Sequence, residues 1–139
     1  MNKWMAGFFD GEGSISSKYV KHPTKKTIIG VYVQVSNKYR EPLNVFKKRF
    51  KGSIYINIQS GRPFFKWTLA GRARVEDFLR TVGIYCIVKK KQVSLAWKVC
   101  SIQKKRGIGK RKGYSGNDLK RLLQLKEEII KTNGRYKAP

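Results

Sequence analysis

The spacing of apolar positions changes period several times along the chain. Asn2 to Asp10 reads as a short helix, with Asn2 as its cap and Gly11 and Gly13 to end it. Ser14 to Val20 reads as a polar-faced strand and His22 to Lys26 as a turn. Thr27 to Ser36 is a strongly β-prone run holding Ile28, Ile29, Val31, Tyr32, Val33 and Val35. Pro42 then suits the first turn of a helix in which Leu43, Phe46 and Phe50 recur at i, i+3 and i+7. A second strand pair follows. Ile54, Ile56 and Ile58 alternate with Tyr55, Asn57 and Gln59, and after a turn at Ser60–Pro63 the residues Phe65, Trp67 and Leu69 alternate with Phe64, Lys66 and Thr68. Val75, Phe78, Leu79 and Val82 predict an amphipathic helix closed by Gly83. Two more helices are expected: Lys89 to Ile102, with Val93, Ala96, Trp97 and Cys100 inside, and a last one with a stripe of Leu119, Leu122, Leu123, Lys126, Ile129 and Ile130.

The expected order is therefore α-β-β-α-β-β-α-α-α, an α+β domain. A four-stranded antiparallel sheet with one apolar face needs cover, which the helices at 42–50 and 72–82 supply. The 139 residues fit a single domain over 1–139, and a hydrophobic fraction of 40% is enough for a true core. Lys and Arg number 32 against 8 Asp and Glu, a formal net charge of +24. Charge of that size on a small domain points to a polyanion, nucleic acid first and an anionic membrane surface second. No stretch approaches the roughly 20 apolar residues of a membrane helix, and nothing at the start resembles a secretory leader. An intracellular protein without membrane attachment is expected. The two cysteines, Cys86 and Cys100, and the one histidine, His22, are too few for a zinc finger or a convincing Ser-His-Asp triad.

Met5-Ala6-Gly7-Phe8-Phe9-Asp10-Gly11-Glu12-Gly13 holds two of the eight acids. A carboxylate beside phosphates repels them unless a cation lies between, and magnesium is held by one or two carboxylates with phosphate oxygens and waters. Gly7 and Gly11, at i and i+4, give a helix a small-residue face that a second helix approaches closely. The segment resembles the LAGLIDADG homing endonuclease motif: Ala6, Gly7, Asp10 and Gly13 are identical to it, Met5, Phe8 and Phe9 stand for its aliphatics, Gly11 for Ala and Glu12 for the second Asp. The family's αββαββα core matches the order read above over about 2–102.

The resemblance implies a homodimer, since there is one motif. Two copies of the helix would pack through Met5, Ala6, Gly7, Phe8 and Asp10 across a twofold axis. Glu12 and the Gly11 carbonyl of each chain would hold Mg2+ or Mn2+ there, and Ca2+ is expected to bind without supporting cleavage. It implies intron-encoded origin and metal-activated water making a staggered double-strand break at a long pseudo-palindromic DNA site. Asn37 and Lys89 match the family's helper positions around the metals and join Glu12 as candidate catalytic residues; Asp10 is equally readable as a structural cap. Ser14, Ser16, Lys18, Tyr32, Gln34, Tyr55, Asn57, Gln59, Phe64, Lys66 and Thr68 make a polar sheet face suited to base edges. Lys105, Arg106, Lys110 and Arg111 belong to a basic run at 104–112 expected to clamp the phosphate backbone. Lysines at strand ends and loops, Lys47 and Lys48 among them, are expected to position on phosphates. Two other readings stay open: an RNA splicing cofactor (maturase) bound to intron RNA on the same fold, and a non-catalytic basic structural protein.

Overall fold

The computed structural model describes residues 1–20, 28–105 and 116–134. Helix α1 (Asn2–Glu12) runs directly into strand β1 (Gly13–Val20). Then come β2 (Ile28–Asn37), α2 (Glu41–Phe50), β3 (Ser53–Gln59), β4 (Arg62–Leu69) and α3 (Arg72–Thr81). A short 3-10 turn (Gly83–Tyr85) leads to α4 (Lys90–Lys105), and α5 (Gly116–Gly134) closes the described chain. The expected order holds. The turn at 22–26 and the loop residues 106–112 lie outside the described residues.

The strands form one antiparallel sheet in the order β1-β2-β4-β3. Its inner face carries Ile15, Ile29, Val31, Val33, Val35, Trp67 and Leu69, all buried. Leu43, Phe46 and Phe50 of α2 and Val75, Phe78 and Leu79 of α3 pack beneath it. An aromatic stack runs through this layer: Phe46 lies 5.2 Å from Trp67, and Phe78 meets Phe50 at 5.2 Å and Phe9 at 5.0 Å. Such pairs add about 0.5–1.5 kcal/mol each beyond the area they bury. The buried indole N–H of Trp67 donates to the Lys51 carbonyl at 2.7 Å, so no polar atom is left stranded there.

The C-terminal helices dock on the β1–β2 side. Gln103 Nε2 donates to the Ile29 carbonyl (2.6 Å), and Asn133 Nδ2 donates to the Ile15 carbonyl (2.7 Å). Among the described residues no helix is long and apolar enough to cross a membrane.

Five local expectations change. The first helix does not stop at Asp10. It continues through Gly11 and ends at Gly13, whose extended backbone (φ −93°, ψ 170°) donates to the Phe9 carbonyl. Its start is capped at Met1 rather than by the Asn2 side chain. The hairpin turn is tighter than expected: Ser60 and Gly61, at φ 52° and 73°, make a two-residue reversal, and Arg62 and Pro63 already belong to β4. The inner stripe of α5 is Leu122, Leu125, Ile129 and Thr132, while Leu123 and Ile130 face outward. Finally, the helices do not cover the whole inner face. Ile56 and Ile58 of β3 remain exposed where the β3–β4 hairpin runs past them.

Candidate functional site

The junction of α1 and β1 is made by Gly13. A Cβ there would drive into the Phe9 ring, which is fully buried against Phe78. Only glycine allows the helix to turn into the strand with no linker. Glu12 is thereby held at the last turn of α1, one residue before Gly13 pairs with Val35 of β2. It is exposed, and among the described residues it makes no hydrogen bond or ion pair. Other acids are engaged: Asp77 with Arg49 at 3.0 Å and Arg80 at 3.6 Å, and Glu76 with Arg72 at 3.0 Å.

Asp10, two residues earlier, has a different task. Its carboxylate accepts the backbone N–H of Ile87 at Oδ2 (2.8 Å) and of Lys89 at Oδ1 (3.1 Å). The Lys89 carbonyl in turn accepts the Val93 N–H (2.9 Å), the first hydrogen bond of α4. One carboxylate therefore ties the end of α1 to the start of α4 and brings the Lys89 backbone to the motif. No local pattern in the sequence joins positions 10 and 89.

The same anchoring acts on Cys86. Burial, then the nearby Asp10 charge and a hydrogen bond to it, push this thiol up to about 12; the Lys89 charge opposes them. Cys100 is also pushed up to about 12, by burial and then the Glu76 charge, with Arg72 opposing. Both thiols stay protonated and are poor nucleophiles or metal ligands.

Asn37 ends β2 beside Phe65 of β4. Its Oδ1 accepts the Tyr39 N–H at 2.9 Å, an Asx turn that leads the chain into α2. By strand alternation Asn37 falls on the inner side, and Ser36 is the β2 residue that shares the outer face with Gln34.

The outer face of the sheet is the one expected. Ser14 pairs with Gln34, Gln34 with Thr68, and Thr68 with Ser53. Ser16 pairs with Tyr32 and Lys66 with Tyr55; Asn57 sits opposite Phe64 and Gln59 opposite Arg62. Lys18 lies on the same side as Ser16. Ser36, Ser53 and Arg62 also belong to this face and were not expected, although alternation from Gln34 and Tyr55 reaches the first two. Lys105 is exposed at the end of α4, and Arg106, Lys110 and Arg111 lie outside the described residues. Lys47 and Lys48 do not join this face, because α2 lies under the opposite one.

The expected helix-contact face needs correcting. Met5 and Ala6 are buried in the chain's own core. Asp10 is half-buried with its carboxylate engaged, and Phe8 is half-buried, stacked on Trp4 at 5.3 Å and near Phe46 at 6.0 Å. The outward side of α1 is instead Trp4, Gly7 and Gly11. A Cβ added at Gly7 or Gly11 would meet nothing within 4 Å, so this chain's own packing does not require either glycine.

Among the described residues no group of three or more His, Cys, Asp or Glu side chains gathers to hold a metal. One chain offers Glu12 and the carbonyls at the C-terminal end of α1. Of these the Phe9 carbonyl is taken by Gly13, while that of Gly11 has no intrahelical partner. A hard carboxylate oxygen with a carbonyl at the negative end of a helix fits a hard divalent cation, as half of a coordination shell.

No protein-family model matches the chain. Over 68 residues, 49% of its length, it is 31% identical to the intron-encoded RNA maturase bI4 of Saccharomyces cerevisiae. Over 94 residues it is 24% identical to a protein of Debaryomyces hansenii described as "Probable intron-encoded endonuclease aI2". The matches span only 10% and 13% of those proteins' lengths. Among solved structures, the homing endonuclease I-CvuI, bound to its target in the presence of calcium, has a TM-score of 0.79 at 17% identity, covering 99% of this chain and 85% of that one. The archaeal intron-encoded homing endonuclease I-Vdi141I, complexed with DNA, gives 0.77 at 20%, covering 94% and 82%. I-SmaMI, bound to an uncleaved DNA target with calcium ions, gives 0.72 at 23%, covering 94% of this chain and 45% of that one. The chain has the fold of the LAGLIDADG homing endonucleases, as the segment Met5–Gly13 implied.

Proposed function

We propose that this chain, built on the homing-endonuclease fold, is a site-specific DNA endonuclease. It acts as a pair of identical copies and hydrolyses one phosphodiester in each strand of a long, pseudo-palindromic duplex site. The observation that carries the proposal is Glu12: an exposed carboxylate, unpaired among the described residues, in a chain of net charge +24, fixed by Gly13 where the polar sheet face begins. An acid at a surface otherwise suited to phosphate needs a cation to be tolerated there.

Each part of the chain has a task in this scheme. The outer sheet face lies along the major groove, where Gln34, Asn57, Gln59 and Lys66 meet base edges, while exposed lysines and arginines bind phosphates without reading sequence. Glu12 and the Gly11 carbonyl, together with their counterparts on the second copy, would hold magnesium or manganese. When bound, the metal supplies Lewis-acid activation of phosphate and water. Lys89, set beside the motif by Asp10, supplies positive charge against the phosphate. Asn37, on the inner side at the very end of β2 and with its oxygen used in the turn, has only its amide N–H groups left to orient water past the sheet edge.

The pairing of copies is supported by the supply of ligands, since one carboxylate per chain is half of what a shared site needs. It is supported also by length, since structures of this fold include chains near this size and chains about twice as long. The test is selection of cleaved sequences from a randomised duplex library with magnesium and with chelator. The proposal expects one long, nearly symmetric site cut only with metal. Cutting that persists in chelator, or no selected site, contradicts it.

The match to an RNA maturase favours a second reading, a splicing cofactor on the same fold. Competition separates the two: an intron RNA that displaces the selected duplex, with no cleavage of that duplex under any metal, favours the cofactor.

A further inference from the structure

The run Ile84–Val88 is apolar and turned outward. Ile84 is 64% exposed, Tyr85 42%, Ile87 83% and Val88 55%, while Cys86 between them is buried and anchors the run. Exposed apolar side chains in isolation are ordinary, but four within five residues form a patch that calls for a partner.

The run is not a loose loop. Tyr85 N–H donates to the Val82 carbonyl (3.0 Å) and Cys86 N–H to the Gly83 carbonyl (3.1 Å). The Ile87 and Lys89 N–H groups are held by Asp10. Its backbone is therefore set in place before any partner arrives, which lowers the entropy cost of docking.

The run lies alongside α1. Tyr85 sits by the start of the helix, where Lys3 Nζ is 5.8 Å from its ring, and Ile87 sits by Asp10 near its end. Lys3 and Asp10, at i and i+7, share one side of α1; Trp4 and Phe8 occupy the other, against Phe46. The outward strip of Gly7 and Gly11 lies between, so the outward surface runs from Trp4 over the two glycines, past Lys3 and Asp10, to the apolar run Ile84–Val88.

We infer that Ile84–Val88 is the second half of the surface through which this chain takes another copy of itself. This rests on the twofold pairing proposed above and names the part of the chain that makes it stable. Area decides the matter. A helix of 11 residues presents a face about 16 Å long and about 10 Å across. That falls well short of the roughly 800 Å² per partner of a stable interface, above all with two glycines in the middle. Four large side chains beside the helix supply the missing apolar area. Charge selects the occupant. Residues 81–88 include no Lys, Arg, His, Asp or Glu, in a chain of +24, so the patch offers phosphate nothing and offers an identical uncharged patch a good match.

The test is sedimentation equilibrium of the full chain without metal or nucleic acid. It compares the wild type, the triple variant Ile84→Ser/Ile87→Ser/Val88→Ser, and a control, Ile56→Ser/Ile58→Ser, on the exposed hairpin patch. Circular dichroism checks that all three are folded. The expected result is a dimeric wild type, an unchanged control, and a triple variant whose dimer dissociation constant rises by at least about 30-fold. A folded triple variant that dimerises like the wild type overturns this inference and leaves the twofold reading standing. A wild type that stays monomeric at tens of micromolar overturns both. Equal weakening by the hairpin control, or loss of duplex or RNA affinity by the triple variant without loss of dimer, assigns the run to another partner and also overturns it.

Discussion

Asp10 and Glu12 lie two residues apart in one acidic motif and have opposite fates. Glu12 is left open to solvent, whereas Asp10 spends both oxygens on backbone N–H groups 77 and 79 residues away. Replacing Asp10 by Asn removes one acceptor and puts an N–H donor against a second donor. Asp10→Asn is expected to lower stability by about 1–2 kcal/mol, read from the urea midpoint at unchanged slope. Because the lost hydrogen bond also fixes Lys89, cleavage should slow while duplex affinity stays near wild type. The buried thiols set an alkaline limit. Cys86 and Cys100 both titrate near 12 in the folded chain against 9.0 when unfolded. A folded value raised this way leaves stability intact below pH 9 and removes it as pH rises from 9 toward 12, since only the unfolded thiols then ionise. Unfolding free energy measured from pH 7 to 11 should be flat and then fall, and Cys100→Ala should flatten the fall.

At the scale of the element, α1 shows what two apolar faces do to a short helix. Its inner side is Met5, Ala6 and Phe9, and its outer side is Trp4, Gly7 and Gly11. Both are apolar or small, so periodicity alone does not say which faces the core. The motif resemblance points Met5 and Ala6 to the contact face, and only the helix's packing against Phe78 and the sheet turns them inward. Helix α5 posed the same ambiguity: Leu122 and Leu123, and Ile129 and Ile130, offer two overlapping stripes, and docking against β1 selects the one with Leu125. The strands were more legible, because alternation with a period of two has only two solutions and the polar set Tyr55, Asn57 and Gln59 chooses between them. The Asp10 link to α4 was not legible, being a contact between segments far apart in the chain. The open glycine face predicts effects of opposite sign. Gly7→Ala should stabilise the dilute single chain by about 0.5–1 kcal/mol, because helix propensity improves and the new methyl meets nothing within 4 Å. The same change should weaken pairing of copies in sedimentation, because that methyl then stands where a second helix must approach.

On the scale of the whole molecule, a chain with 32 basic residues carries a sheet whose outer face is polar and whose inner face is packed with aromatic side chains over β2 and β4. Under the proposed function the charge supplies attraction to any polyanion, the sheet supplies discrimination, and neither cuts. Cleavage is assigned to one carboxylate per chain, so a single isosteric change separates recognition from chemistry. The direct measurement is Glu12→Gln, assayed for duplex binding and for double-strand cleavage under the same magnesium and salt. The account predicts binding within a few-fold of wild type and cleavage reduced by at least about 100-fold. A Glu12→Gln protein that cuts at close to the wild-type rate would contradict it.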